Sequence, residues 1–425
     1  MTYSMEMIVL FGTMFLVMLI GVPLGFAVGI AAIVAFIIFT DTPLMLIAQS
    51  CITGIDSFSF LAIPLFIMAG ALMSQGGIAK RLVDTFYVLI GHKRGGLGLV
   101  SVATCGFFGA ISGSATATVS AIGSLMMPEM KEKGYPPEYN AMCIACAGST
   151  SLLIPPSVCL VLYGVATETP IGDLLIAGVI PGLIVCGCLL FGAYYYARKY
   201  KFKTIEKQPF KLFLKALWRA KWALFCPVII LGGIYSGVFT ATEAAGVAVV
   251  YAIFVGFLVY KDLTWKIVME SLKETMVLSG MLAFMLGTAT AFAKFLSFAQ
   301  VPQKLVTFIL GVTENPILLL LFCNVILLIL GCVVDNIPII LIMSPLMLPI
   351  AEAAGMTSIT FGCVMVLNTT IGLITPPYGA NLFFASSIAG VKMESTLKYF
   401  WGFFIGLIIS LIGITYVPFF TMGLL

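Results

Sequence analysis

The sequence predicts an all-α polytopic membrane protein made of two related halves, and three observations predict it. Hydrophobic residues make up 61% of the 425-residue chain and charged residues only 9%, against roughly 25% charged in soluble domains. Several stretches, among them 7–40, 95–128 and 139–167, run uncharged for longer than the ~20 residues a helix needs to cross hydrocarbon. Two Pro-Pro pairs, Pro155-Pro156 and Pro376-Pro377, interrupt apolar segments at matching places in halves of similar length.

The first apolar segment is expected to stay on the chain. Residues 1–6 carry no basic residue, and the run that follows is far longer than the apolar region of a signal peptide. It reads as two short spans broken at Gly21-Val22-Pro23. Eleven cysteines are scattered through apolar segments without a disulfide framework. Cys143 and Cys146 form a CxxC, but no second pair accompanies it and His92 is the only histidine, so the two read as small buried residues rather than a metal or redox site.

Charge sets the orientation. Nine basic residues from Arg198 to Lys221 face a single acid, Glu206. The positive-inside rule makes 198–221 a basic cytoplasmic linker; a nucleic-acid or lipid-binding patch is the other reading, but a juxtamembrane basic loop needs no partner beyond the membrane potential and anionic lipid. Counting back, a span at 174–197 leads to an outside loop with Glu168 and Asp173, and the segment 139–167 starts inside. Both flanks of the uncharged run 95–128 are basic or mixed charged stretches that favour the cytoplasm, so it reads as a re-entrant hairpin at about 97–128. Its small-residue middle, Gly109-Ala-Ile-Ser-Gly-Ser114 and onward, permits the turn. Counting forward, spans at 222–240, 244–260 and 276–293 make 315–351 a mirror hairpin from the opposite face, holding the single charge Asp335. Segments at 357–390 and 396–422 complete about ten spans plus two hairpins, with both termini outside.

A shift of 221 positions aligns Pro128 with Pro349, Gly134 with Gly355, Leu152 with Leu373 and the two Pro-Pro pairs without a gap. The chain accordingly divides into a first inverted repeat, 1–197, with its broken helix at 139–167, the linker, and a second repeat, 222–425, with its broken helix at 357–390. Inverted repeats with interrupted segments at corresponding places point to a binding site at the membrane midplane.

The chemistry follows from the breaks. Proline removes amide donors, so Gly148-Ser-Thr-Ser-Leu-Leu-Ile-Pro-Pro-Ser157 cannot be continuous helix. Irregular backbone inside a membrane survives only where protein or a cavity covers it. The carbonyls freed around Gly148 to Ile154, together with the hydroxyls of Ser149, Thr150 and Ser151, are hard neutral oxygens suited to sodium. Thr369 to Asn381 repeats that chemistry with Thr369, Thr370, Gly372 and Thr375. The hairpin tips face them with Ser112, Gly113 and Ser114 in one half and Gly331, Asp335 and Asn336 in the other. Other readings stand beside these: a helix cap for Asp335, helix packing for the small tip residues, structural kinks for the breaks. No arginine lies in the expected core, so a carboxylate substrate must be held by helix N-termini, hydroxyls, Asn368 or Asn381. The segments 80–84 and 298–310 read as amphipathic surface pieces.

At these residues the chain resembles the large membrane subunit of the tripartite ATP-independent periplasmic (TRAP) transporters, within the wider ion transporter superfamily. The likeness rests on Gly109-Ala-Ile-Ser-Gly-Ser114, on Gly148 to Ser157 with Ile-Pro-Pro, and on Thr369 to Asn381 with Thr-Pro-Pro-Tyr-Gly-Ala-Asn. The resemblance implies an elevator-type carrier of the bacterial inner membrane with scaffold and transport domains. It implies a small four-helix membrane subunit and a periplasmic substrate-binding protein as partners. It also implies sodium-coupled uptake of a small organic acid, sialic acid or a C4-dicarboxylate, without an organic cofactor. Family sodium sites carry over onto Ser112, Ser114, Gly148, Ser149, Thr150, Ser151, Ile154 and Pro155, and onto Gly331, Asp335, Asn336, Thr369, Thr370, Gly372 and Thr375, with Asn368, Tyr378 and Asn381 for substrate. Ala115 departs from the hydroxyl expected there. The alternative is a stand-alone sodium/dicarboxylate symporter of the related type. A channel fits two broken sites in one chain less well, and neither an HExxH nor a P-loop is present for an enzyme or an ATPase.

Overall fold

The computed structural model describes residues 2–425, and among them every regular element is helical. Helices satisfy all their backbone polar groups internally, which a chain this apolar requires. Seven helical stretches are long and apolar enough to cross a membrane, and shorter apolar helices accompany them.

In the first half α1 (Thr2–Leu19) and α2 (Leu24–Phe39) are separated at residues 20–23, and α3 (Met45–Ile55), α4 (Ala62–Gln75) and α5 (Ile78–Ile90) follow. Then α6 (Gly96–Ser112) and α7 (Ala115–Glu132) form a hairpin. After it come α8 (Pro137–Ser149), a 3-10 turn at Thr150–Leu152, an irregular stretch, α9 (Val158–Thr167), α10 (Ile171–Ala177) and α11 (Val179–Lys199). The second half has α12 (Phe210–Tyr235), α13 (Ala241–Phe254) prolonged by a π-helical turn to Tyr260, α14 (Trp265–Phe298) and α15 (Val301–Val312). A second hairpin, α16 (Pro316–Gly331) and α17 (Asn336–Ala353), precedes α18 (Ser358–Gly372), a second irregular stretch and α19 (Ala380–Ala389). Short α20 (Met393–Thr396), α21 (Phe400–Tyr416) and α22 (Phe419–Met422) close the chain.

Element boundaries follow the 221-residue offset well beyond the prolines. Moved on by 221, α5 covers 299–311, where α15 lies; α7 ends at 353, the last residue of α17; α8 starts at 358, the first of α18; and α11 starts at 400, the first of α21. The main departure is α14, which runs unbroken where the first half has separate α3 and α4.

Two expected boundaries are corrected. The linker expected at 198–221 is mostly helix: α11 continues to Lys199 and α12 begins at Phe210, leaving 200–209 as the connector. Residues 210–221 are rich in Leu, Ala and Lys, strong helix formers, and Lys211, Lys215 and Arg219 recur every four residues on one face. Long cationic side chains let such a helix run past the edge of the hydrocarbon. Likewise the span expected at 276–293 is the 34-residue α14, because Lys266, Glu270, Lys273 and Glu274 end the apolar signal without ending the helix.

One group of helices packs around α14, which lies along α2, α3 and α4, while α13 packs on α4 and α12 on α5. Rings lock part of it, with Phe36 5.2 Å from Phe295 and Phe11 5.8 Å from Phe292. Arg81 ties α5 to the α13–α14 connector through Asp262 at 2.6 Å and the Tyr260 ring at 3.8 Å. The other group holds both hairpins, both broken helices, α11 and α21. There Asn368 Nδ2 donates to Asn324 Oδ1 at 2.7 Å, and Asn324 Nδ2 donates to Thr415 Oγ1 at 3.1 Å, joining α18, α16 and α21. Asn324→Ala strands buried polar groups on both sides of that chain, so it should lower stability by about 1–2 kcal/mol, whereas Thr415→Ser should change little. Thermal unfolding of the purified protein in detergent reads the difference; equal midpoints for Asn324→Ala and wild type would show the network contributes nothing.

Candidate functional site: two broken helices and two hairpin tips

The first break forms because Pro155 and Pro156 stop α8 at a fixed point. Ser149, Thr150 and Ser151 are fully buried there. Each donates its hydroxyl hydrogen to a carbonyl one turn back: Ser149 to Ala145 O at 2.8 Å, Thr150 to Ala147 O at 2.7 Å and Ser151 to Gly148 O at 2.6 Å. With their hydrogens committed, the oxygens keep only acceptor capacity, which suits a cation. Among the described residues no hydrogen bond falls on the carbonyl oxygens of Ile154 or Pro155. Ser157 restarts the chain as helix, donating to Leu152 O and accepting from Leu160 N–H at 3.2 Å as the N-cap of α9.

The first hairpin tip closes on this break. Gly113 turns with φ +60°, and a Cβ there would lie 2.6 Å from Pro156 O, so only glycine fits. Ser112 Oγ lies 2.9 Å from Thr118 Oγ1, and Thr118 donates to Ser114 O at 2.8 Å. Ser114 caps α7, accepting from Ala117 N–H at 3.5 Å. Ala115 is buried against Gly148, adding a methyl where a hydroxyl was expected.

The second half repeats the pattern with different side chains. Thr369 and Thr370 both donate to Val366 O, at 2.9 and 2.7 Å, and Thr375 donates to Ile371 O at 2.7 Å. Gly331 and Gly372 meet backbone to backbone, a Cβ on Gly372 falling 2.4 Å from Gly331 O. Tyr378 N–H donates to Cys332 O at 3.1 Å, tying break to hairpin tip, while the Tyr378 ring stays 43% exposed. Asp335 is the N-cap of α17, its Oδ1 accepting from Asn336 N–H at 2.9 Å. Among the described residues no cation pairs with it, and it is an electrostatic neighbour of Cys159 and Tyr378. Capping engages one of its two oxygens, so cap and ion ligand are compatible roles.

The two breaks are brought together by exchange. Helix α9, which follows the first break, packs on α17 and α18, and α19, which follows the second, packs on α7 and α8. Asn381 at the start of α19 donates to Ser149 Oγ at 2.8 Å, and Asn336 at the start of α17 donates to Cys159 Sγ at 3.0 Å. Tyr163, midway along α9, donates to Ser358 O at 2.9 Å. The substrate candidates separate in this arrangement. Asn368 gives both amide hydrogens away, to Asn324 Oδ1 and Val364 O, and has none left for an anion. Asn381 has one hydrogen uncommitted and its buried Oδ1 has no partner.

Residues that the sequence reading passed over also belong to the assembly. Thr118 holds the first tip; its signal is its position four residues after Ser114, one helical turn. Ser157, immediately after Pro155-Pro156, is legible as a cap. Asn324 and Thr415 had no local signal, because their role is to meet Asn368 across three helices.

Comparison with known proteins places this arrangement. Residues 11–420 match the family model described as Tripartite ATP-independent periplasmic transporter, DctM component. The isethionate TRAP transporter permease protein DctMQ of Oleidesulfovibrio alaskensis is 39% identical over 411 residues, 96% of this chain, which spans 65% of that protein's length. The C4-dicarboxylate TRAP transporter large permease protein DctM of Rhodobacter capsulatus is 35% identical over 99% of both chains. The sialic acid TRAP transporter large permease protein SiaM of Vibrio cholerae is 36% identical over 95% of this chain and 94% of its own. In fold, the chain is similar to the Alcanivorax borkumensis YdaH transporter, with TM-score 0.61, 15% identity and 90% of each chain covered. These relatives are named as transport permeases, not enzymes, and the chain belongs to the DctM-component family of the tripartite ATP-independent periplasmic transporters as a multi-pass membrane permease.

Proposed function

We propose that this chain is the large permease subunit for sodium-coupled uptake of a small organic acid across the bacterial inner membrane. The observation that carries the reading is the set of hydroxyls at the two breaks, the buried Ser149, Thr150, Ser151, Thr369 and Thr370 and the half-buried Thr375, each of which commits its hydrogen to a backbone carbonyl. Such a set presents neutral oxygens without displacing a proton, which suits a monovalent cation. The first sodium site takes Ser112, Ser114, Gly148, Ser149, Thr150, Ser151, Ile154 and Pro155. The second takes Gly331, Asp335, Asn336, Thr369, Thr370, Gly372 and Thr375.

Between them the substrate carboxylate meets Asn381, the exposed Tyr378 and the N-termini of α9 and α19; Asn368 positions α18 instead of touching substrate. The matching element boundaries support two inverted repeats, 1–197 and 222–425, and the packing of α2, α3 and α4 on α14, with the hairpins and broken helices packed on one another, supports a scaffold and a moving transport domain that meet where α4 and α5 lie on α6, and α14 and α15 on α17. The connector 200–209 is cytoplasmic and both termini are periplasmic. A periplasmic binding protein delivers the substrate and a small four-helix subunit completes the permease. Support for the second partner comes from the length of the Oleidesulfovibrio relative, of which this chain spans 65%. Relatives are named for isethionate, C4-dicarboxylates and sialic acid, which supports a small organic anion as the class.

Uptake of a panel of organic acids into proteoliposomes holding the assembled permease, with its binding protein outside, tests the reading. Thr370→Ala and Asp335→Ala should each raise the sodium concentration for half-maximal uptake roughly tenfold or more, the equivalent of one lost ligand at about 1.4 kcal/mol, with membrane insertion intact. Unchanged sodium dependence in both variants would remove the second site, and uptake by this chain without any binding protein would favour a stand-alone symporter. For orientation, cysteine at Lys207 should react with an impermeant thiol reagent in inside-out vesicles and stay unlabelled in spheroplasts; the reverse pattern would invert the topology.

A further inference from the structure

We propose that the cavity at the basic end of α11 binds the phosphate headgroup of an anionic phospholipid. The cavity, about 570 Å³, is lined by Arg94, Arg198, Lys201, Phe202, Lys203 and Thr204. Four of these six are cations and none is an acid, and among the described residues no carboxylate pairs with any of the four.

The convergence is built by packing. Gly95, at φ +74°, lies so close to α11 that a Cβ there would fall 2.1 Å from Ala197 Cβ, which brings Arg94 beside Arg198. Phe202 is buried against the rings of Tyr135 and Tyr139, at 4.5 and 4.8 Å, and its N–H donates to Ala197 O at 3.0 Å. The Tyr135 hydroxyl donates to Lys203 O at 3.5 Å. The connector is thus pinned at Phe202, and Lys201 and Lys203 stand exposed on either side of the anchored ring. Complementing the dipole at the end of α11 accounts for Arg198 but not for Arg94, Lys201 or Lys203, which are off the helix. A topological excess of positive charge accounts for the number of cations but not for their gathering around one cavity.

The geometry favours a lipid over a free anion. Phe191, Tyr194 and Tyr195 are exposed on the side of α11 that ends at Arg198, three to seven residues further on, so a continuous apolar stripe leads to the cavity. An acyl chain lies along that stripe while two guanidinium groups and two ammonium groups hold the phosphate, the arginines with paired planar donors. Basic pockets of this kind between helices select anionic headgroups.

The test uses the full chain in detergent, with phosphatidylglycerol and phosphatidylcholine of identical acyl chains, and native mass spectrometry to count retained lipids. Wild type should retain phosphatidylglycerol with a roughly tenfold preference. The double variant Lys201→Gln/Lys203→Gln, altered only at exposed connector positions, should lose most of that preference while eluting as wild type. Arg198→Lys, which keeps the charge, should retain more of it than Arg198→Gln. Equal retention of the two lipids by wild type, or an undiminished preference in the double variant, would overturn the site. Displacement of phosphatidylglycerol by low millimolar inorganic phosphate would overturn the lipid assignment in favour of a free anion site.

Discussion

A helix that stops inside an apolar bundle leaves amides and carbonyls that no lipid can satisfy, and the rest of this structure is arranged around that constraint. At Pro155-Pro156 and Pro376-Pro377 the backbone leaves helical geometry; the chain itself covers the first stretch, whereas Pro377 and Tyr378 of the second stand exposed. The hairpin tips close on the breaks where Gly113 meets Pro156 and where Gly331 meets Gly372, and a side chain on Gly113 or Gly372 would collide. Ser157 and the Asn381 amide each meet a freed carbonyl, Leu152 O in one half and Leu373 O in the other, positions that correspond under the 221-residue offset.

Cover of this kind makes the breaks mutually dependent. Each half-helix that begins after a break packs on the hairpin arm and broken helix of the other half, and the Asn381 to Ser149 hydrogen bond spans the two. Neither half could bury its own break alone. A change in the packing of one break is therefore felt at the other, which is the property that coupling of ion and substrate binding requires. The hydroxyls fit the same constraint: they satisfy helical carbonyls behind them and leave their acceptor sides facing the irregular backbone.

Charge is distributed in the opposite sense. Asp335 stands at a hairpin tip with no cation paired to it among the described residues, while Arg94, Arg198, Lys201 and Lys203 gather at one end of α11 around a separate cavity. Apart from Asp335, the groups around the breaks are neutral hydroxyls, amides and helix N-termini, without an arginine, and the cluster of fixed cations lies apart from them at the end of α11. Arg81, by contrast, is held by Asp262 and by the face of Tyr260.

Much of this was legible in the sequence because hydrocarbon imposes simple rules. Long uncharged runs had to be helices, adjacent prolines had to end them, and small residues between Gly109 and Ser114 had to allow a turn; α6 to α9 and α16 to α19 follow. Charged residues misled where they ended an apolar run without ending a helix, as at the start of α12 and of α14, since long cationic side chains and good helix formers carry a helix past the membrane edge. The roles of the asparagines could not be read at all. Asn368 and Asn381 lie in equivalent-looking polar settings, yet one is consumed by Asn324 and Val364 and the other reaches Ser149 across more than two hundred residues. Proline and polarity act locally, so the points where the helices break could be read from the residues alone; which groups meet at those points depends on how distant helices pack, and that is visible only in the fold.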